Sequence, residues 1–189
     1  FTGSTRVGRI IQRGAGLRRT QLELGSIAST IVCADADLER ALPKIANASF
    51  RKAGQVCTSV QRLYVERSIA DDVTTKLVAE ARAMPAGDPR KPATRVGPMI
   101  SEASAVRAQS WIEEAAQRQA RIVCGGGRTA AVLQPTVIAN AQSGMRVIDE
   151  EIFAPVVSVL PFENLDQAVA QANGTPYGLA AGIFTRDVN

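Results

Sequence analysis

The sequence predicts an α/β fold built on a mostly parallel sheet covered by helices on both faces. Three observations carry that prediction. Strand-like and helix-like hydrophobic patterns alternate along the chain, and the strand-like runs are nearly continuous Val, Ile and Leu, as strands buried on two sides require. With 189 residues and 46% hydrophobic content, the chain can bury one full domain core and part of another.

Taken in order, Phe1 reads as the end of a strand, and Ser4 or Thr5 caps a helix whose apolar side is Val7, Ile10 and Ile11. Gly14 and Gly16 end that helix, and residues 20–24 read as a short strand closing at Gly25. A second strand covers residues 30–33. Asp35 then caps a helix through Leu38, Ala41, Leu42, Ile45 and Ala48, with a kink expected at Pro43, which has no amide hydrogen to donate. Residues 62–66 alternate as a strand, and Ser68 starts an amphipathic helix carrying Ile69, Val73, Leu77, Val78 and Ala81. Four prolines and two glycines make residues 85–99 a surface loop. Residues 101–119 are helical and residues 121–124 a strand, stopped by Gly125, Gly126 and Gly127. That triple glycine is read as a turn and not a phosphate loop, because no lysine or Ser/Thr follows in the required spacing and no helical pattern begins there. Strands over residues 136–139 and 155–160, a helix over 165–172 and a final buried strand over 179–185 complete the alternation.

Composition narrows the chemistry. No apolar run approaches the roughly 18 residues of a membrane-spanning helix, and the arginine-rich start has no apolar stretch behind it, so neither a membrane segment nor a secretory signal is expected and the default setting is cytoplasmic. Three cysteines without short paired spacing argue against a disulfide framework, and the absence of histidine removes the ordinary zinc sites, so no metal is expected. The same absence removes Ser-His-Asp and Cys-His arrangements. A nucleophile here needs a carboxylate, a lysine, backbone dipoles or a cofactor. Arg6, Arg9, Arg13, Arg18 and Arg19 precede the first acidic residue, Glu23, but no aromatics lie among them to stack on bases, so a solvated or interdomain face is expected and no nucleic-acid partner.

Cys57 is the thiol placed to meet a substrate. It lies in Gly54-Gln55-Val56-Cys57-Thr58-Ser59, between a helical and a strand pattern, whereas Cys33 is embedded in an apolar run. Gly3 ahead of the cap at Ser4 lets backbone amides approach an anion such as a pyrophosphate, although the same turn is common without a ligand.

Together the motifs resemble the NAD(P)-dependent aldehyde dehydrogenases. The resemblance rests on Phe1-Thr2-Gly3-Ser4-Thr5, Leu22-Glu23-Leu24-Gly25, Asp35-Ala36-Asp37-Leu38, Gly54-Gln55-Val56-Cys57, Gly87-Asp88-Pro89, Gly97-Pro98, Gln134-Pro135-Thr136-Val137, Glu150-Glu151-Ile152-Phe153 and Tyr177-Gly178-Leu179-Ala180-Ala181, in the family's order from end to end. It implies a catalytic cysteine at Cys57, which attacks an aldehyde and passes through a thiohemiacetal and a thioester, and a general base at Glu23 for hydrolysis. It implies NAD or NADP as cofactor, with Gly3, Ser4 and Gly8 toward the pyrophosphate, Val7 toward the adenine, Leu24 and Gly25 near the nicotinamide, Glu151 on the nicotinamide-side ribose and Phe153 packed close to it.

The implied fold is an aldehyde dehydrogenase-like catalytic domain over residues 26–189, lacking its last strand, preceded by the tail of a Rossmann-like cofactor domain over residues 1–25. The family's longer amino-terminal part carries most of the dinucleotide sheet and an asparagine of the oxyanion hole. Losing one such donor costs on the order of 10²- to 10³-fold in rate, so the isolated chain is expected to be inactive. The parent enzyme is expected to act on a small aldehyde as a homodimer or homotetramer. The alternatives are a dehydrogenase that acylates coenzyme A, which the retained Glu23 disfavours, and a non-catalytic domain kept for assembly. Two departures from the family pattern, Ser26 and Ala154 where glycine is usual, add a Cβ near the cofactor and would strain the backbone if either position needs positive φ.

Overall fold

The computed structural model describes residues 1–187 of the chain, so residues 188 and 189 of the expected catalytic domain lie outside the described residues. The first helix, α1 (Thr5–Gly14), is capped by Ser4, whose hydroxyl accepts the Val7 amide at 3.4 Å. Residues 20–24 do not form the expected strand. They make one isolated bridge, Glu23 with Thr2, held by Gly3 N–H to the Glu23 carbonyl and Glu23 N–H to the Phe1 carbonyl, both 2.9 Å. Among the described residues their backbone partner is the short stretch at Phe1 to Gly3, which is too brief to build a ladder.

Six strands form the main sheet: β1 (Ala28–Val32), β2 (Val60–Glu66), β3 (Arg121–Cys124), β6 (Thr136–Ala139), β7 (Val156–Phe162) and β8 (Ala181–Phe184). Between β3 and β6 the short strands β4 (Arg128–Thr129) and β5 (Val132–Leu133) make a separate hairpin beyond the glycine turn. The order is β3-β6-β7-β2-β1-β8, all parallel except β3, which runs antiparallel to β6. Gly125 and Gly126 adopt φ of 72° and 85°, so the triple glycine is a turn whose conformation disfavours a side chain.

Helices cover both faces, as the sequence predicts. Alternation along β2 sends Leu63 and Val65 to one side, where they join Leu42, Ile45 and Phe50 of α2 (Leu38–Phe50) and Val73 and Leu77 of α3 (Ala70–Arg82) in the main core. Tyr64 points to the other side and packs with Ile31, Phe162 and Ala168, the last from α6 (Leu165–Asn173). Two further helices, α4 (Glu102–Gln117) and α5 (Arg146–Asp149), flank the main core, and α5 is a single turn too short to leave a periodic signal.

Several boundaries differ from expectation for identifiable reasons. Asp37, not Asp35, caps α2 by accepting the Arg40 amide at 3.3 Å. Asp35 instead accepts Thr185 Oγ1 at 3.0 Å and the amides of Arg186 and Asp187 at 2.7 and 3.1 Å, tying down the end of β8. These bonds, with the Arg186 amide foremost, hold the Asp35 carboxyl below its ordinary range. Helix α2 continues through Pro43 to Phe50. Ser68 lies in a 3₁₀ turn, Arg67–Ile69, and α3 begins after it. The final strand is not buried: β8 is an edge strand, and Ile183 on it is 50% exposed. Among the described residues, no helix is long and apolar enough to cross a membrane and no group of His, Cys, Asp and Glu could hold a metal ion.

Candidate active site

Cys57 stands in the connection from α2 to β2, and local chemistry fixes that connection tightly. The 3₁₀ turn Arg51–Gly54 carries three successive left-handed residues, Lys52, Ala53 and Gly54, at φ of 52°, 54° and 66°. Two of them bear a Cβ, so surrounding contacts must hold the conformation. Gly54 must be glycine: any Cβ there would overlap the Ala154 carbonyl. Gln55 reaches outward, its Oε1 accepting the Ile100 amide at 2.7 Å and its Nε2 donating to the Lys52 carbonyl at 3.1 Å. A turn at Cys57 and Thr58 is closed by Ser59 N–H to the Val56 carbonyl at 2.9 Å, and Ser59 Oγ, which carries one proton, lies 3.1 Å from both the Ala48 and the Ser49 carbonyls at the end of α2. The half-buried thiol of Cys57 is free, as are Cys33 and Cys124.

Glu151 and Phe153 sit in the segment after α5. Glu151 Oε1 accepts the Ser26 amide at 3.0 Å, and its Oε2 lies where a Cβ on Gly25 would stand, so Gly25 is the residue that makes room for this carboxylate. Burial pushes the Glu151 carboxyl above its ordinary value, opposed by the Ser26 amide and by the positive charge of Arg107. Phe153 is 38% exposed and takes φ of 50°, a left-handed value rare for an aromatic residue. The positive φ that would have strained these positions is not found: neither Ser26 nor Ala154 has it, and both are buried.

The segment is held from two sides by residues that sequence reasoning missed. Gln61 of β2 is 5% exposed; its Nε2 donates to the Val147 and Glu150 carbonyls at 3.0 and 2.7 Å, and its Oε1 accepts the Ile152 amide at 3.1 Å. Arg107 of α4 donates through Nη2 to the Ile152 carbonyl at 2.7 Å and stacks its guanidinium 4.8 Å from the centre of the Trp111 ring. A polar pair, Gln61-Arg62, inside an apolar strand pattern was the available signal for Gln61; nothing local marks Arg107.

Three segments of distant sequence therefore converge: Gly25 and Ser26, Gly54 and Val56 beside Cys57, and Glu151 to Ala154. Ser26, Gly54, Val56 and Glu151 to Ala154 line a common cavity of about 10 Å³, a packing contact more than a space, and Gly25 joins them through the Glu151 carboxylate. The α1 end is built separately. Gly8 is buried because Leu24 lies over it, and a Cβ there would come within 2.6 Å of the leucine side chain. A Cβ on Gly3 would fall 2.5 Å from the Phe1 ring. Ser4 caps the helix, no acidic residue occupies the first turn, and Val7 is half-buried on its face. Glu23 is exposed, and among the described residues no hydrogen bond joins its carboxylate to Cys57.

Comparison with known proteins yields consistent relationships. A sequence profile described as "Aldehyde dehydrogenase family" matches residues 1–189. A 3-sulfolactaldehyde dehydrogenase of Priestia aryabhattai is 42% identical over 188 residues, and cytosolic aldehyde dehydrogenase 1 of Rattus norvegicus is 40% identical over 195. In each case the match covers 100% of this chain and 39% of the relative, so the chain spans about two fifths of their length. Among solved structures, a glyceraldehyde-3-phosphate dehydrogenase of Methanocaldococcus jannaschii complexed with NADP superimposes with a TM-score of 0.96 at 37% identity, over 100% of this chain and 41% of the other. An aldehyde dehydrogenase of Mycobacterium tuberculosis complexed with NAD⁺ gives 0.95 at 37% identity, over 100% and 40%.

Proposed function

This chain belongs to the aldehyde dehydrogenase family, and from that premise we propose that it supplies the catalytic cysteine of an enzyme that oxidises a small aldehyde to a carboxylic acid with NAD⁺ or NADP⁺. The observation that carries the reading is the convergence of Gly54 and Val56, beside Cys57, with Ser26 and with the Glu151–Ala154 segment, in a chain without histidine.

The Cys57 thiolate adds to the aldehyde carbon, forming a C–S bond and a thiohemiacetal alkoxide. A bound NAD⁺ or NADP⁺, held by the residues named below, would supply the acceptor for the hydride that leaves this carbon. As the carbonyl re-forms, Cys57 is left as a thioester. Glu23 then accepts a proton from water, the resulting hydroxide adds to the thioester carbonyl, and the C–S bond breaks to release the carboxylic acid and restore the thiolate. Glu23 is exposed, which suits a base that works on a water molecule.

The residues present fit a dinucleotide. A Ser4-capped helix with no acidic residue in its first turn offers backbone amides to phosphate, and Glu151, with Oε1 on the Ser26 amide, keeps acceptor capacity on Oε2 for ribose hydroxyls. In this reading Gly3, Ser4 and Gly8 face the pyrophosphate, Val7 the adenine, Leu24 and Gly25 the nicotinamide, and Phe153 packs beside it. Residues 1–25 serve as the tail of the dinucleotide-binding unit and the residues from 26 onward as the catalytic domain. Packing supports this division: of α1 only Gly8 is buried, whereas the buried hydrophobic residues begin at Ile27. Three free cysteines accord with a cytoplasmic setting.

The test uses the complete protein that carries this chain, assayed for NAD(P)H formation from short aldehydes. Cys57→Ala is expected to lower the rate roughly 10⁴-fold or more with the fold unchanged by circular dichroism. Retention of activity by the variant would rule out Cys57 as nucleophile.

A further inference from the structure

We propose that Gln61 is a positioning residue for the cofactor: it fixes the backbone that presents Glu151 and Phe153, and so links the strand that follows the nucleophile to the ribose end of the site. The proposal rests on the dehydrogenase reading above and adds a residue to it.

Gln61 lies four positions after Cys57, on the strand that the Cys57 turn feeds into. Its amide is used almost completely. Both Nε2 hydrogens go to carbonyls, Val147 in α5 at 3.0 Å and Glu150 at 2.7 Å, and Oε1 takes the Ile152 amide at 3.1 Å. A flipped amide would aim oxygen at two carbonyls and nitrogen at a donor, so these partners allow one orientation only. At 5% exposure water cannot replace them. A core position on a buried strand is ordinarily apolar, and the long polar side chain here serves one short segment in all three of its bonds.

That segment is the one bearing the proposed cofactor contacts. Ile152 stands between Glu151 and Phe153, with its N–H held by Gln61 and its C=O by Arg107 Nη2 at 2.7 Å. Holding both polar groups of one residue fixes the directions in which its two neighbours leave. On one side the Glu151 carboxylate is set against Gly25 and the Ser26 amide. On the other, Phe153 is kept at φ of 50°, a conformation that persists only where the surroundings over-determine it. Release of the Ile152 amide lets Phe153 relax toward negative φ and swings Glu151 off the Gly25 backbone, while the Cys57 turn, which meets this segment through Gly54 against the Ala154 carbonyl, keeps its own anchors at Ser59 and Gln55.

The experiment compares the complete protein with Gln61→Met, which keeps the volume and removes the hydrogen bonds, and with Gln61→Glu, which when protonated keeps one donor and one acceptor. Three readouts are taken: dissociation constants for NAD⁺ and NADP⁺ by calorimetry, hydrogen exchange of residues 150–154 without cofactor, and the rate of Cys57 alkylation by iodoacetamide without cofactor. Gln61→Met is expected to weaken binding of the preferred cofactor by roughly tenfold, to speed exchange across residues 150–154, and to leave Cys57 alkylation within about twofold of wild type, with Gln61→Glu intermediate. Unchanged cofactor binding in Gln61→Met overturns the proposal, and so does a binding loss matched by an equal change in Cys57 alkylation, which would mark general loosening of the fold. If the wild-type protein binds neither NAD⁺ nor NADP⁺, the dehydrogenase reading itself fails and this proposal with it, an outcome distinct from a wild type that binds and a variant that binds equally well.

Discussion

Glu151 carries two opposing demands in one side chain. In the proposed role the carboxylate accepts from ribose hydroxyls most strongly when ionised, yet burial raises its pKa, and the Ser26 amide and Arg107 offset that only in part. The folded chain therefore holds the Glu151 proton more tightly than the unfolded chain does. Stability attributable to this group is present at low pH and falls as pH rises from the ordinary carboxylate range through the raised folded value. Gln at this position cannot ionise. Glu151→Gln is thus expected to match wild type at acidic pH, to be more stable than wild type near neutrality, and to bind NAD(P)⁺ less well. Denaturant unfolding at a series of pH values checks this, and a variant less stable than wild type at neutral pH would show that the Ser26 and Arg107 contacts outweigh burial.

At the scale of elements, the Cys57 turn depends on close backbone approach. Gly54 combines φ of 66° with a site where a Cβ would overlap the Ala154 carbonyl, so Gly54→Ala is expected to cost about 3 kcal/mol or more by urea unfolding. Gly14, the last residue of α1, has open space around its Cβ position, and Gly14→Ala serves as the control, expected to be neutral or stabilising by up to about 1 kcal/mol. Equal effects of the two substitutions would contradict the close-approach argument. The same elements show what could be read from sequence. Apolar periodicity located α2, α3 and α4, and strand β6 at its observed bounds, because these elements bury a continuous face, and it located α6, of which Ala168 is buried. Choices made by distant partners were not legible. Asp35 and Asp37 are both plausible caps, and only the packing of Thr185 and Arg186 against Asp35 decides between them. Lys52, Ala53 and Phe153 carry no glycine to announce a left-handed backbone. Strand β8 reads as buried from its Leu-Ala-Ala-Gly-Ile-Phe run, but pairing on one side only leaves it an exposed edge.

At the scale of the whole molecule, the sheet brings the three parts of the candidate site together from opposite ends of the sequence. Strand β1 follows directly from Gly25 and Ser26, β2 pairs beside it and follows from Cys57, and β7, on the other side of β2, follows from the Glu151–Ala154 segment. Three neighbouring parallel strands necessarily start at the same edge of the sheet, so the segments that enter them meet there. Cys57 and Gly25 were legible as candidates through their motifs, whereas the Gln61 and Arg107 contacts exist only once the sheet has formed. The central claim, that Cys57 forms a thioester which Glu23 helps to hydrolyse, is tested most directly by mass spectrometry of the complete protein carrying Glu23→Gln, quenched in acid during turnover with an aldehyde and NAD(P)⁺. The expected result is an acyl group of the substrate's mass on the peptide containing Cys57, in larger amount than in wild type. An adduct on Cys33 or Cys124, or none while product still forms, would contradict it.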